Sequence, residues 1–471
     1  MQKNQIDKAF YCYTMAANCQ NATAQAELGI LFYEGQYLPK DMNKSICYFT
    51  LAANQNNAQA QYYLGILHIE GDEIPQNINK GFYYLELATN QNYPKAQYDL
   101  GVYYFYGKHL SQNIDKAIYY FNLAANQNLV FAQYVLGCIY KDGLVVTRDI
   151  KKAIFYHTLA ANQNFSYSQD ELGIIYCNDE PRLRDIEKSI LYLTLAANQN
   201  NSDAQYCLGM IYYKKEFNHW DINKALYYFE ISAKNNHFSS LYMLGGIYFQ
   251  GIYVQKDINK AIKYLECASF QNDRNSQNLL IDIYNNLFYN HIYGEQNFNK
   301  FFNYLTIFSN LNNPVAHFSL GAIFFEGKYV QKNMNKAIRY LTMAADQNVL
   351  EAQNILGKIY CEGIYTVQDI SLAIHYLTLA ASKDHSDAQF MLGYIFYKRE
   401  FNVQDIKLAI HYLTLASNQN HSRALFLLGY IFYTGEYVTK EINKAIFYIT
   451  KKVQHLTMSF QKITLELFWE I

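Results

Sequence analysis

A Leu-Gly pair returns along this chain of 471 residues at a fixed interval of 36 residues. It begins at Leu28-Gly29 and recurs in every unit as far as Leu244-Gly245. After one irregular unit the pair reappears at Leu320-Gly321 and keeps the same interval to Leu428-Gly429. A fixed period of about 20–50 residues is typical of stacked repeats, each of which contacts only its neighbours. The period therefore predicts one continuous array, rather than the roughly three globular domains that this length would otherwise suggest.

The spacing inside one unit predicts two helices, which we name helix A and helix B. Ala60 and Leu64 stand four residues apart, and an aromatic residue follows at the next such position in nearly all units, which places all three on one face of helix A. A glycine such as Gly71 is expected to end helix A in the left-handed conformation. Asn77 is then a good N-cap for helix B. Lys80 follows, and we expect this recurrent lysine to be solvated and paired with the capping residue.

The return from helix B to the next helix A is marked by Asn-Gln-Asn in most units. Asn56 and its equivalents stand where a left-handed turn is needed. Asparagine tolerates that conformation better than other residues that carry a side chain. We therefore expect these asparagines to have positive φ angles.

Taken together the unit reads A-x-x-x-L-G-x-x-Y-x-x-G-x-x-V-x-x-D-x-x-K-A-x-x-Y-x-x-L-A-A. It resembles the SEL-one-like repeat, a relative of the tetratricopeptide repeat with the same two-helix hairpin. The resemblance covers nearly the whole chain and implies an all-α fold, a right-handed α-solenoid of about twelve two-helix repeats whose curved surface holds partner proteins. Family members act as adaptors in protein quality control at the endoplasmic reticulum and in bacterial and protist signalling. A bacterial branch linked to β-lactam binding has paired cysteines in each unit, which this chain lacks.

The repeats predict four segments along the chain. Residues 1–280 comprise an opening half-unit and seven units, and residues 321–456 comprise the C-terminal repeats. Residues 281–320 form a degenerate unit that is four residues longer, with Ile281 in place of the repeat glycine. We expect a bend or weak seam there, because a larger side chain separates closely packed helices; neutral drift in one repeat is the alternative. Residues 457–471 are expected to form a capping helix, or else an exposed apolar tip. The chain starts inside a helix B, which suggests an incomplete N-terminus.

Charge and composition argue against several classes of function. The chain has 39 Lys and Arg against 40 Asp and Glu, whereas nucleic-acid-binding proteins need a basic stripe. Its opening, MQKNQIDKAF, contains no apolar run typical of a signal peptide, and no stretch approaches the roughly 18 apolar residues of a membrane span. The eight cysteines show neither zinc-site nor disulfide spacing. We predict a cytoplasmic protein without nucleic acid, membrane span, cofactor, metal or catalytic residues.

A second face of helix A is the candidate binding surface. It lies three residues before, one residue after and four residues after the repeat glycine, and it carries rings at the first and last of these positions. The A helices of two-helix solenoids line the concave side. Tyrosine-rich surfaces suit the recognition of an extended peptide. The alternative is that these rings pack between successive repeats. The predicted partner-binding residues are Tyr62, Tyr98, Tyr134, Tyr206, Tyr242, Phe105 and Phe249.

These observations favour a non-enzymatic scaffold or adaptor that presents a concave groove to a partner protein or peptide. No phosphate-binding loop, metal cluster or nucleophile–base pair stands outside the repeat pattern. Two alternatives remain open. The array could regulate a larger signalling protein such as a kinase, or it could be a hydrolase that uses scattered cysteines and histidines.

Overall fold

The computed structural model describes residues 2–37, 39–178, 184–289, 295–398 and 405–451. Within these ranges every regular element is a helix, and a single 3-10 helix, Lys215–Phe217, accompanies the α-helices. The chain divides into two compact parts, which we call the first unit, Met1–Ser240, and the second unit, Leu241–Ile471. One pair of helix A and helix B is called a repeat from here on. The capping helix expected at residues 457–471 lies outside the described residues.

In chain order the α-helices are α1 (Gln2–Asn18), α2 (Ala22–Glu34), α3 (Met42–Asn54), α4 (Ala58–Glu70), α5 (Ile78–Asn90), α6 (Pro94–Tyr106), α7 (Ile114–Asn126), α8 (Val130–Asp142), α9 (Ile150–Asn162), α10 (Ser166–Asn178), α11 (Ile186–Ala197), α12 (Ser202–Tyr213), α13 (Ile222–Lys234), α14 (Phe238–Gln250), α15 (Ile258–Ser269), α16 (Arg274–Tyr289), α17 (Glu295–Asn310), α18 (Pro314–Glu326), α19 (Met334–Asp346), α20 (Leu350–Glu362), α21 (Ile370–Ala381), α22 (Ser386–Tyr397), α23 (Ile406–Asn418) and α24 (Ser422–Thr434), and the described residues 442–451 are also helical.

The helices pair as the period predicts, with even-numbered helices as helix A and odd-numbered helices as helix B from α2 onwards. In the first unit α4 packs against α5 and α6 against α7, while α7 also contacts the following α8. In the second unit α18 packs against α19 and α20 against α21 in the same way. Each helix B is therefore shared between its own helix A and the next one. This arrangement confirms the all-α repeat fold.

The repeat glycine allows the two helices of a hairpin to approach closely. A Cβ atom added to Gly101 would lie 2.7 Å from Cε1 of Phe121, a residue of helix B in the same repeat. At Gly137 the same atom would lie 2.6 Å from the ring of His157. Real Cβ atoms do not come so near, so the larger residues at this register of helix B require glycine opposite them.

The helix ends follow the predicted caps. Gly107 ends α6 with a φ of 68°, and its N–H donates to the carbonyl of Tyr103. Asn113 begins α7 by accepting a 2.9 Å hydrogen bond from the backbone N–H of Lys116. Asn56 has a φ of 61°, as expected for the turn into the next helix A. In most of the described repeats the left-handed turns thus alternate between glycine after helix A and asparagine after helix B.

The irregular repeat takes up its extra residues by lengthening its helices. Both α16 and α17 contain 16 residues, whereas α18 and α19 contain 13. Ile281 is only 1% exposed and lies in a core with Tyr284, Phe301 and Phe308. The seam expected at Ile281 and the division into four segments remain predictions. No helix among the described residues is both long and apolar enough to cross a membrane.

Candidate partner-binding face of helix A

We define the A-face as the positions three residues before, one after and four after each repeat glycine. All seven rings predicted from the sequence belong to it, and all seven are half-buried. The ring of Tyr98 lies 5.7 Å from that of Phe121 in its own repeat and 6.4 Å from that of Phe131 in the next. Phe105 lies 6.3 Å from the same Phe121. One side of each ring therefore packs within the array while part of it faces solvent.

Tyr62 is hydrogen-bonded to the next repeat as well as packed against it. Its hydroxyl donates a 2.8 Å hydrogen bond to Oδ2 of Asp99 in the next repeat. Its ring lies 5.3 Å from that of Tyr93, which directly precedes α6, the helix that contains Asp99. Burial, and then the charge of Asp99, raise the pKa of Tyr62 far above its ordinary value. Tyr62 therefore connects α4 to α6 as well as contributing to the A-face.

The remaining predicted rings contact their neighbours in a similar way. Tyr134 lies 5.4 Å from Phe165, and Tyr206 lies 5.1 Å from His237, each partner standing just before a following helix A. Tyr242 and Phe249 pack against a shared core of the second unit. Half-buried rings with fixed contacts are well defined in position, and partner binding through them remains a prediction.

In the second unit the A-face borders an open groove of about 610 Å³. Phe390 stands three residues before Gly393, and Tyr394 stands one residue after it, so the groove follows the predicted register. Arg423 and Glu362 are both exposed and supply opposite charges to the groove. The lining residues are Cys361, Glu362, Gln368, Phe390, Met391, Tyr394 and Arg423.

In the first unit a smaller pocket of about 180 Å³ forms where the glycine that usually ends helix A is missing. The last residue before the loop, Lys214, has an extended backbone conformation, and the 3-10 helix that follows turns Phe217 inward until it is 8% exposed. Nζ of Lys214 lies 3.6 Å from Oε1 of Glu216, which partly neutralises the positive charge of the lysine. The lining residues are Ile174, Cys177, Leu193, Tyr206, Cys207, Met210, Ile211, Lys214 and Phe217.

Asp170 interrupts the aromatic row of the A-face in the first unit. It is 8% exposed, and its Oδ1 has no hydrogen-bond partner among the described residues. Burial first, and then the charges of Glu171 and Asp203, raise the pKa of Asp170 to about 7. Glu171 is paired with Lys141 at 2.7 Å. In the sequence Asp170 stands where most neighbouring repeats have tyrosine, and this difference was the signal that could have identified it as a candidate site residue.

The lysine at the start of helix B lies over an aromatic ring. Nζ of Lys116 is 5.0 Å from the ring centroid of Tyr104, which stacks on Tyr120 at 5.9 Å with an interplanar angle of 8°. Lys188 also forms the predicted ion pair with its cap, Asp185, at 3.1 Å. The recurrent lysine is thus held against its own hairpin by cation–π contact. The sequence analysis did not predict this cation–π contact, although the lysine and the ring recur twelve residues apart in most repeats.

A ladder of glutamines is the second feature that the sequence reasoning missed. Nε2 of Gln133 donates to the carbonyl of Ala125, and Oε1 of Gln133 accepts a 2.8 Å bond from Gln163. Five further pairs repeat this side-chain contact: Gln55 with Gln25, Gln91 with Gln61, Gln127 with Gln97, Gln199 with Gln169, and Gln419 with Gln389. The signal was the Ala-Gln that precedes most of the Leu-Gly pairs, together with the Gln of Asn-Gln-Asn.

Two observations on the described residues bear on the hydrolase alternative. No group of three His, Cys, Asp or Glu side chains among the described residues is arranged to hold a metal ion. A cysteine nucleophile must be a thiolate, whereas burial raises the pKa of Cys138 to about 11 and raises that of Cys177 as well. These thiols therefore stay protonated at neutral pH and give the hydrolase alternative no support.

Comparison with known proteins agrees with the repeat geometry. The Sel1 repeat model matches residues 1–21, 22–57, 58–93, 94–129, 130–165, 166–201, 202–237, 239–273, 314–349, 350–385, 386–421 and 422–451. The matches stop at residue 273 and resume at residue 314, on either side of the irregular repeat. Comparison with curated protein sequences gave no significant match.

Two solved structures illustrate the likeness. The protective antigen c5321 of uropathogenic Escherichia coli, described as displaying an SLR fold, is 24% identical with a TM-score of 0.63. That match covers 95% of this chain and 90% of the antigen. A Sel1 repeat protein from Oxalobacter formigenes is 22% identical with a TM-score of 0.49, over 74% of this chain and 89% of that one. Because the repeat model matches most of its length, the chain belongs to the Sel1 repeat family.

Proposed function

We propose that this protein is a non-enzymatic scaffold that binds a partner polypeptide along the A-face of its repeats. The observation that supports this most is the groove of about 610 Å³ in the second unit, which the A-face rings Phe390 and Tyr394 line. Aromatic residues, methionine and arginine are enriched at protein interfaces, and Met391 and Arg423 also line this groove. A groove of this size accommodates several consecutive side chains of an extended segment.

The rings of the groove are held in place before any partner arrives. Phe390 stacks on His421 with ring centroids 4.8 Å apart. Nε2 of His421 lies 3.0 Å from Oδ1 of Asp387, and its Nδ1 accepts from the N–H of Ala424 at the start of α24. A ring fixed in this way loses little conformational entropy when it is covered. The seven rings predicted from the sequence share this face and are proposed to contribute through their exposed edges.

A photo-crosslinking amino acid at Met391 tests where partners bind. The matched control carries the same group at His375, which is exposed on the helix B side of the same unit. We expect specific protein adducts in native extracts from position 391 and none of these from position 375. Equal labelling from both positions would argue against the A-face.

The proteins identified in this way are then purified and their affinity is measured directly. Phe390→Ala and Arg423→Glu are each expected to weaken binding about tenfold or more, as is usual for central interface residues. Circular dichroism first establishes that both variants keep the helical content of the unchanged protein. Folded variants that bind every such partner with unchanged affinity would overturn the proposal.

A further inference from the structure

We infer that the pocket of the first unit and Asp170 form one recognition site, which takes an apolar side chain of a partner polypeptide together with an adjacent positive charge. This inference rests on the proposed scaffold function and specifies the chemistry of its partner. The apolar group would enter the pocket beside Tyr206 and Met210. The cationic group, from a lysine or arginine, would meet the carboxylate of Asp170.

The two parts of the site lie on one face of α10. Asp170, Ile174 and Cys177 are four and then three residues apart, so their side chains project from the same side of the helix. Ile174 and Cys177 line the pocket, which places Asp170 one helical turn from it. Cys207 lines the pocket from α12, and burial and then the charge of Asp170 raise the pKa of its thiol. The carboxylate therefore lies close to the lining of the pocket.

The electrostatics of the site call for a cation. Asp170 is surrounded by further carboxylates, but Glu171 is paired with Lys141, and Asp203 lies 3.1 Å from Nε2 of His237. Oδ1 of Asp170 is buried and has no hydrogen-bond partner among the described residues. Burial without a hydrogen-bond partner disfavours the charged form of a carboxyl group. A positive charge brought by the partner would stabilise the carboxylate and gain affinity from that pairing.

The size of the pocket sets the apolar part of the ligand. Its volume is about 180 Å³. An apolar protein cavity of about 150 Å³ is known to hold benzene. A phenyl ring or a branched aliphatic side chain therefore fits. Lys214, on the pocket wall, lies 3.6 Å from Glu216, which partly neutralises its positive charge.

Three small probes that share a phenylethyl group and carry different charges test the site without any partner. They are 2-phenylethylamine, which is cationic, 2-phenylethanol, which is neutral, and 3-phenylpropionate, which is anionic. Binding is followed in the whole protein through the methyl resonance of Met210, assigned with the Met210→Leu variant. We expect the amine to shift this resonance and to bind about fivefold more tightly than the alcohol, with the anion weakest.

Asp170→Asn is expected to remove the preference for the amine over the alcohol. The control Asp115→Asn, an exposed carboxylate on α7, should keep that preference. Cys177→Phe places a ring in the pocket and should abolish binding of all three probes. Equal binding of the probes, or a preference that survives Asp170→Asn, would overturn the inference. Either result leaves the scaffold proposal standing, because that proposal is tested separately with partner proteins on the second unit.

Discussion

The hydroxyl of Tyr62 donates a 2.8 Å hydrogen bond to Oδ2 of Asp99, which links the helix A of one repeat to that of the next. Burial raises the pKa of Asp99, and the hydrogen bond from Tyr62 opposes that rise. Tyr62, which the sequence spacing assigns to a binding surface, thus also forms a hydrogen bond between two repeats. Removing its ring would change both properties at once, whereas removing only its hydroxyl separates them.

Tyr62→Phe is expected to destabilise the first unit by about 1–3 kcal/mol, because it leaves a half-buried carboxylate without its donor. The control is Tyr83→Phe, since Tyr83 is 57% exposed on helix B. Because repeat arrays open locally, amide hydrogen exchange in α4 and α6 is the appropriate measurement. Faster exchange in Tyr62→Phe alone is the expected result. Identical exchange in the two variants would show that the bond contributes nothing.

The aromatic row was predictable from spacing, whereas this bond was not. Recurrence at 36 residues places Tyr62 and Tyr98 on equivalent faces whatever the identity of their neighbours. The partner of the Tyr62 hydroxyl depends on the distance between adjacent repeats, which no local pattern encodes. The pocket beside Tyr206 could not be predicted from the sequence for a similar reason. It requires Phe217 to turn inward from an irregular loop, whose conformation the repeat pattern does not determine.

Gly245 and Gly246 provide a test of close helix packing at two adjacent positions. A Cβ atom on Gly245 would lie 2.5 Å from Cγ of Leu265, whereas one on Gly246 would have nothing within 4 Å. Gly245→Ala is therefore expected to destabilise the second unit by about 1–3 kcal/mol. Gly246→Ala should stabilise it by roughly 0.5–1 kcal/mol, because alanine favours a helix more than glycine does.

Thermal unfolding of the two single variants measures this contrast. The substitution is chemically identical in both, so differences in helix propensity cancel between them. Opposite shifts of the unfolding temperature are expected. Shifts of the same sign and size would mean that α14 moves away from α15 at no cost, against the close approach inferred from the repeat glycine.

His157 should make the first unit sensitive to acid. It is fully buried, its Nε2 has no hydrogen-bond partner among the described residues, and burial lowers its pKa to about 3. The unfolded chain, with a histidine pKa of about 6.5, binds more protons as the pH falls below that value. Stability is therefore lost between about pH 6.5 and pH 3, and the loss reaches about 2 kcal/mol at pH 5.

Phenylalanine is the natural replacement, because Phe121 and Phe229 occupy the same register in other repeats. His157→Phe should change the stability of the protein by less than about 1 kcal/mol at pH 7.5, because removal of the unpartnered Nε2 is offset by loss of the 3.4 Å contact between Nδ1 and Oγ of the buried Ser168. At pH 5 the variant should gain about 2 kcal/mol relative to the unchanged protein. Urea unfolding at both pH values measures it, with His375→Phe as the exposed control. A gain that does not increase at pH 5 would show that His157 is already protonated in the folded protein.

The glutamine ladder has a gap that a single substitution should close. Oε1 of Gln353 is buried and has no hydrogen-bond partner among the described residues, because Lys383 stands where other repeats have glutamine. Nζ of Lys383 instead contacts Oδ1 of Asn348 at 2.9 Å. In the first unit Gln91 donates both to Gln61 and to Asn56, the equivalents of these two acceptors. A glutamine at position 383 can therefore keep the existing contact and supply the missing donor.

Lys383→Gln is expected to stabilise the second unit by about 1 kcal/mol, the usual net value of one hydrogen bond. The converse variant, Gln419→Lys, removes a 2.9 Å bond to Gln389 in the following repeat and should destabilise by a similar amount. Both substitutions change the charge at the same register, in opposite directions. Measuring each at low and at high salt separates the electrostatic part, which salt screens, from the hydrogen bond. If the two effects vanish at high salt, charge rather than the ladder accounts for them.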